Sequence, residues 1–317
     1  MLRKPSTLTT TACALIGLAL LTAPATGREY HYGVNTQLEL VPFAGPVADK
    51  TIELGADIVR IAFGWDVIES SCKGCFDWTR TDAWRDEARR TGRQIFATIG
   101  YTPRWANGGR SYNYPPGNIQ DWYDFVHAIV TRYRGDIALW GLWNEPDLDS
   151  FLRNGDLKAY QALVTTGAAA IRAANPDAMV LGPEVSHFAM KNGWYRAAMQ
   201  LFGDEFDTVT VHWFADGPVL TYMMDELVRP YSRRKNVWLT EVGMRPCDSM
   251  YGEAGQAYFY QKVLDEFLPR RSWWTTVLFY DIYERPRPLD CGSAIVRPDW
   301  SNRPAFSLLQ AFIKAHP

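Results

Sequence analysis

Two glutamates in this chain stand in contexts suited to acid–base and nucleophilic work. Glu145 falls in Asn144-Glu145-Pro146, directly after the apolar run Leu139–Trp143, and Glu241 follows the run Val237–Thr240 and precedes Val242-Gly243. One carboxyl can protonate a leaving oxygen while a second attacks the neighbouring carbon or activates water, and together these events break a glycosidic bond. Pro146 stiffens the segment that carries Glu145, and Asn144 can hydrogen-bond a hydroxyl next to the reacting carbon. A lone glutamate at a strand end is more often a solvated loop residue or a helix cap. Two of them on one face of one sheet argue for chemistry.

That face exists only if the strands are parallel, and the order of elements says they are. Short apolar, β-branched runs alternate with longer amphipathic segments from residue 31 onward, the pattern of βα units. Strands are expected near His31–Asn35, Ile58–Phe63, Gln94–Ile99, Leu139–Trp143, Met179–Gly182, Thr208–His212, Val237–Thr240 and Val277–Tyr280. Helices are expected over Thr81–Thr91, Asn118–Tyr133, Asp156–Ala174, Gly252–Phe267 and Arg303–Lys314. In Asn118–Tyr133 the residues Trp122, Phe125, Val126, Ile129, Val130 and Tyr133 recur at helical spacing, so these aromatics belong to a core. Eight strands with helices between them predict an α/β fold, a single-domain (β/α)8 TIM barrel over residues 28–317. Strands four and seven would then deliver Glu145 and Glu241 to the C-terminal face, where active sites of this architecture lie.

The remaining features narrow the setting. The chain has 317 residues, 47% hydrophobic and 21% charged, without a linker or an internal repeat to mark a second domain. Arg3 and Lys4, the apolar run from Ala14 to Leu21 and Ala23-Pro24-Ala25 form the order of a secretory signal peptide over residues 1–27, with cleavage after Ala25 or Gly27. The apolar run is too short to span a membrane, so the processed chain is expected to be secreted or periplasmic, without membrane insertion. Loss of Arg3 and Lys4 takes the net charge from −2 to −4, which argues against a nucleic-acid partner. Cys13 leaves with the leader. Cys72, Cys75, Cys247 and Cys291 remain as an even set in an oxidising compartment, read as Cys72–Cys75 and Cys247–Cys291 disulfides, since the loops after strands seven and eight are neighbours in a closed barrel. A zinc site on these cysteines is disfavoured because the second pair is widely split and no histidine is near. Five histidines, none in a metal-binding spacing, speak against a catalytic metal, and no cofactor is expected. Neither a phosphate-cradling glycine loop nor a Gly-x-Ser-x-Gly turn is present.

The ordered motifs carry a resemblance. Tyr32-Gly33-Val34-Asn35, Val59-Arg60, Gly100 to Ala106, Trp140 to Pro146, Gly182-Pro183, Val211-His212, Trp238 to Glu241 and Arg303 to Phe306 together resemble the clan A retaining (β/α)8 glycoside hydrolases, closest to glycoside hydrolase family 39 and related bacterial exopolysaccharide hydrolases. The resemblance implies Glu145 as acid/base, Glu241 as nucleophile, Asn144 as a contact to the 2-hydroxyl, and Arg60 as a cation behind Glu241. A guanidinium there should lower the pKa of Glu241, whereas a proton donor at Glu145 needs a raised one. Two positions depart from the pattern. Trp213-Phe214-Ala215-Asp216 follows His212 where a tyrosine often stands, a role that Tyr280 could fill. Glu184, ending strand five, is either a substrate contact or a loop residue bonding backbone. His212 is read as a site residue and Asp281 as a sugar contact or a barrel cap. Trp65, Tyr101, Trp105, Trp143 and Trp213 fall at or just past strand ends and are expected to stack on sugar rings. These readings describe a monomeric, retaining glycoside hydrolase with a poly- or oligosaccharide substrate, acting within chains at an open cleft. A non-catalytic carbohydrate-binding barrel and a transglycosylase are the rivals.

Overall fold

The computed structural model describes residues 31–36, 44–214, 218–283 and 292–316. Eight strands among them close into a parallel barrel in sequence order, each paired to the next and the last to the first. The strands are β1 (His31–Thr36), β2 (Ile58–Gly64), β3 (Gln94–Gly100), β4 (Leu139–Leu142), β5 (Met179–Val185), β6 (Thr208–Phe214), β7 (Asn236–Gly243) and β8 (Thr276–Phe279). Around them run α1 (Ala44–Leu54), α2 (Thr79–Thr91), α3 (Ile119–Arg132), α4 (Leu157–Ala174), α5 (Trp194–Phe202), α6 (Pro218–Leu227), α7 (Gly252–Lys262) and α8 (Pro304–Ala315). The segment expected as one helix to Phe267 instead leaves α-geometry after Lys262, passing through a π-turn at Val263–Phe267.

The period-2 alternation of each strand divides its residues between barrel interior and helix layer. Ile58, Phe96, Leu139, Leu181, Trp238 and Leu278 form one separate apolar cluster, and each belongs to a different strand. They fill the barrel toward the strands' N-terminal ends and form a floor. Residues of the other parity, such as Val59, Ile61, Val209, Val211, Val237 and Leu239, join the larger cluster with the helices. Full burial of one such aliphatic side chain contributes about 1.5–3 kcal/mol.

Helices are placed by caps and stripes. The Asn118 side chain accepts from Gln120 N at 3.1 Å to start α3, and Asp156 accepts from Lys158 and Ala159 N–H groups to start α4. Helices α3 and α4 pack on each other, and α4 packs on β4. Gly167 of α4 permits that approach, because a Cβ there would stand 2.7 Å from Leu142 Cδ2 and 3.1 Å from the Trp122 indole nitrogen. Among the described residues no helix is long and apolar enough to cross a membrane. The expected leader lies outside the described residues.

Candidate active site

Two residues along from the apolar floor, in the same strand parity, the interior turns polar: Arg60 follows Ile58, Thr98 follows Phe96 and Thr240 follows Trp238. The Arg60 guanidinium lies 5.6 Å from the centre of the Phe96 ring, so the polar layer rests directly on the floor. Every polar group at this depth must find a partner.

Arg60 supplies most of them. Its Nε donates to Glu184 Oε2 at 2.8 Å, and its terminal nitrogens donate to Glu241 Oε1 at 2.6 Å, Asn35 Oδ1 at 2.9 Å and Asn144 Oδ1 at 2.7 Å. One planar fork thus ties β1, β2, β5, β7 and the end of β4 together, which lysine could not do. Burial disfavours its charge, yet Glu184 and Glu241 outweigh that and raise its pKa further. Thr240 Oγ1 donates to the other Glu184 oxygen at 2.9 Å.

Glu241 reaches this layer through a bulge. Strand β7 continues through Glu241 to Gly243, and its register against β6 shifts from Val211↔Leu239 to His212↔Glu241. The extra residue breaks the alternation, so both Thr240 and Glu241 contact groups inside the barrel. At β4 the chain bends instead. Trp143 and Glu145 have φ of 71° and 39°, and Tyr101 and Glu184, at the ends of β3 and β5, are left-handed as well. Such non-glycine conformations cost about 1–3 kcal/mol each and gather at functional sites. Here they are held by Trp143 N donating to Ile99 O at 2.7 Å and Glu145 N donating to Glu184 O at 2.8 Å. The Asp147 carboxyl, pushed by burial up to about 6, accepts from Ser186 N and Oγ and ties the loop after β4 to that after β5.

His212, fully buried at the end of β6, sits between three carboxyls. Its Nδ1 lies 3.0 Å from Glu145 Oε1 and 3.6 Å from Glu241 Oε2, and its Nε2 lies 3.7 Å from Glu184 Oε2. Burial opposes its charge, but Glu241, Glu145 and Glu184 push its pKa up to about 10. Glu184 is lowered to about 2, as Arg60 and His212 overcome the effect of burial. For Glu241, burial wins: the carboxyl is pushed above its ordinary value although His212 and Arg60 pull it down, with Glu145 and Glu184 adding to the rise. Arg60 lowers the Glu241 pKa as expected, but desolvation is the larger effect and the net shift is upward. One oxygen of Glu145 and one of Glu241 lie within 4.8 Å of each other.

Glu145, His212 and Glu241 also have the composition of a metal-ligand set. The Arg60 guanidinium, however, already holds Glu241 Oε1 at 2.6 Å, and the surrounding carboxyls push the His212 imidazole toward its protonated form, which has no lone pair to offer a metal. These three residues suit proton transfer better than ligation.

Above the layer opens a cavity of about 550 Å³, lined by Asn144, Glu145, Glu241 and Arg60 together with Tyr101, Tyr112, Phe151, Phe214 and Tyr280. Of the aromatics expected to stack on sugars, Tyr101 is in this wall; Tyr280, expected near the nucleophile, is there too. The four tryptophans are not. Trp65 is fully buried, stacks on Phe125 with ring centres 5.4 Å apart and donates to Glu69. Trp143 is fully buried against Trp122 and donates to Phe151 O. Trp105 packs edge-on to Trp65 and donates to Glu69 O. Trp213 stacks on Phe267 at 4.4 Å in the helix layer. The reason is parity: Trp213 shares the outward parity of Val209 and Val211, whereas Phe214 shares the inward parity of His212. That alternation was readable and would have chosen Phe214. Tyr112 stands edge-on to Tyr101, with ring centres 5.3 Å apart, and comes from a long loop with no such signal.

Three further residues lie outside the cavity wall. Glu184 is completely buried beneath the cavity, bonded to side chains of three strands, so it is neither a sugar contact nor a loop residue bonding backbone. His212 likewise lies below the wall, with its Nδ1 facing Glu145 and Glu241. Asp281 is buried, with its charge felt by Tyr260, which favours the cap of its two readings. Burial raises the pKa of Tyr101, whose phenol also feels the charges of Arg60, Glu241 and Glu145. Asn35, which holds Arg60 and donates to Thr240 O at 3.0 Å, was quoted in the sequence only as part of a motif.

Cys72 and Cys75 are disulfide-bonded with Cα atoms 5.3 Å apart. Cys247 is disulfide-bonded too; Cys291, its expected partner, lies outside the described residues.

Comparison with known proteins agrees with this geometry. The chain is 24% identical over 132 residues to a beta-xylosidase of Geobacillus stearothermophilus, a match taking in 37% of this chain but only 26% of the relative's length. The family 39 glycoside hydrolase from Xanthomonas axonopodis pv. citri superposes with a TM-score of 0.74 at 18% identity, covering 92% of this chain and 67% of that one. A monomeric beta-xylosidase from Caulobacter crescentus gives 0.71 at 19% identity, covering 89% and 67%. At such identities the structural likeness speaks for the fold. The model of the family described as "Glycosyl hydrolase catalytic core" matches residues 118–276, half of the chain. That span carries both Glu145 and Glu241, and the chain belongs to the glycosyl hydrolase catalytic core family.

Proposed function

We propose that this protein cleaves β-glycosidic bonds inside a poly- or oligosaccharide with net retention of configuration. The observation that carries the reading is the approach of Glu145 and Glu241 oxygens to within 4.8 Å. Retaining pairs stand about 5–5.5 Å apart and inverting pairs about 6.5–9.5 Å, the latter to admit a water. In the first step a Glu241 oxygen bonds to the anomeric carbon as the glycosidic bond breaks, and the leaving oxygen takes the proton of Glu145. In the second step Glu145 takes a proton from water, whose oxygen displaces Glu241 from the same carbon. Arg60 and His212 supply the two positive charges that an ionised Glu241 needs. Asn144, whose Oδ1 accepts from Arg60, keeps its Nδ2 as a donor for a sugar hydroxyl. A sugar replacing water in the second step would give transglycosylation instead.

Action within chains is supported by a cavity that runs from the carboxyl pair out to the exposed Val67 and Arg80, beyond what one sugar at the reacting carbon needs. Export is supported by the disulfides, which suit an oxidising compartment, and a monomer by the monomeric state named for the Caulobacter crescentus relative. A panel of defined β-linked glycans, including xylan, xylo-oligosaccharides and bacterial exopolysaccharides, tests the reading. The expected result is cleavage of at least one polymer with oligosaccharides of mixed length as the earliest products. Monosaccharide as the only early product would refute action within chains, and no cleavage across the panel would count against the reading as a whole.

A further inference from the structure

Glu184 is the one carboxylate of the site with no access to the cavity and no part in the double displacement, yet it makes the most contacts. Both its oxygens are used: Oε1 accepts from Thr240 Oγ1 at 2.9 Å, and Oε2 accepts from Arg60 Nε at 2.8 Å and faces His212 Nε2 at 3.7 Å. Its backbone carbonyl accepts from Glu145 N at 2.8 Å. A buried carboxylate with apolar alternatives available is costly unless it serves the charges around it.

Resting on the reading of Glu145 and Glu241 given above, we propose that Glu184 is a positioning residue that anchors Arg60 and His212 from beneath and so aims both reacting carboxyls. Arg60 reaches Glu241 and Asn144 with the nitrogens left over from its grip on Glu184. The His212 ring, with one nitrogen toward Glu184, turns the other toward Glu145 and Glu241. The charges also require it. Arg60 on β2 is a buried cation and His212 on β6 is pushed toward its charged form, and the buried carboxyls of Glu184 and Glu241 stand against them. The other titratable group facing Glu184 is the Tyr160 phenol of α4, which burial and Glu184 keep neutral. The charges facing His212 are those of Glu241, Glu145 and Glu184.

The test reads His212 directly and needs no substrate. Histidine-labelled protein is titrated by NMR, with His212 assigned by its loss in His212→Asn. In the parent the ring is expected to stay charged through pH 8. In Glu184→Gln its midpoint should fall by about 1–3 units, the size of one lost close charge, and Glu184→Asp should restore most of it. Glu184→Asp, whose charge stands one methylene farther from the ring, should leave a smaller fall in the same direction and serves if Glu184→Gln does not fold. On any glycan the parent cleaves, Glu184→Gln should lower kcat about 100-fold, as expected for misplaced reacting groups, with KM little changed. An unshifted His212 in Glu184→Gln, or in Glu184→Asp where that is the variant available, would overturn the proposal. Full turnover by Glu241→Ala would instead sink the catalytic pair, while the titration would still decide the role of Glu184.

Discussion

Replacing Glu241 by alanine is expected to lower kcat by about 10⁴–10⁶-fold, the range seen when a residue that forms a covalent intermediate is removed. The protein should still fold, because the carboxyl lost is one of several around Arg60 and the change relieves a desolvation cost. Glu145→Ala should behave differently. It removes proton transfer and leaves attack intact, so substrates with good leaving groups should still form the glycosyl-enzyme, and azide, which needs no base, should restore turnover. Steady-state kinetics on an activated aryl glycoside with and without azide separates the two. Rescue of Glu241→Ala in place of Glu145→Ala, with the starting configuration retained, would exchange their roles.

The second large effect is on stability. Arg60→Met removes the cation from a layer where Glu184 is wholly buried and Glu241 nearly so. Breaking a buried pair from one side costs about 3–5 kcal/mol, which for a domain of this size lowers Tm by about 10 °C. Arg60→Lys keeps the charge but not the planar fork that reaches Asn35, Asn144, Glu184 and Glu241, so it should recover part of the stability and little of the activity. Thermal denaturation of both variants checks this. A Tm within about 2 °C of the parent for Arg60→Met would mean that the layer is not held by Arg60, since that is less than one kcal/mol of destabilisation.

Much of the barrel was legible because buried parallel strands must be apolar, and each of the eight expected runs became a strand. Boundaries moved where backbone departs from regular geometry. Strand β4 stops at Leu142 because Trp143 is left-handed, and β7 runs past Thr240 because a bulge absorbs the extra residue. Glu145 and Glu241 were legible from their strand-end context. The tryptophans misled because size and position at a strand end do not say which way a side chain faces. The polar partners told more: once Arg60 and His212 are inward, Phe63 and Trp213 must be outward. The role of Glu184 could not be read at all, since only the assembled barrel brings residues from β2, β5, β6 and β7 to one point.

The central claim, that Glu145 and Glu241 act as a retaining pair, is tested most directly by the anomer first released. NMR spectra taken within the first turnovers on a β-linked substrate, before mutarotation, should show the β-anomer of the new reducing end. The α-anomer would mean a single displacement by water and would contradict the assignment of Glu241 as nucleophile.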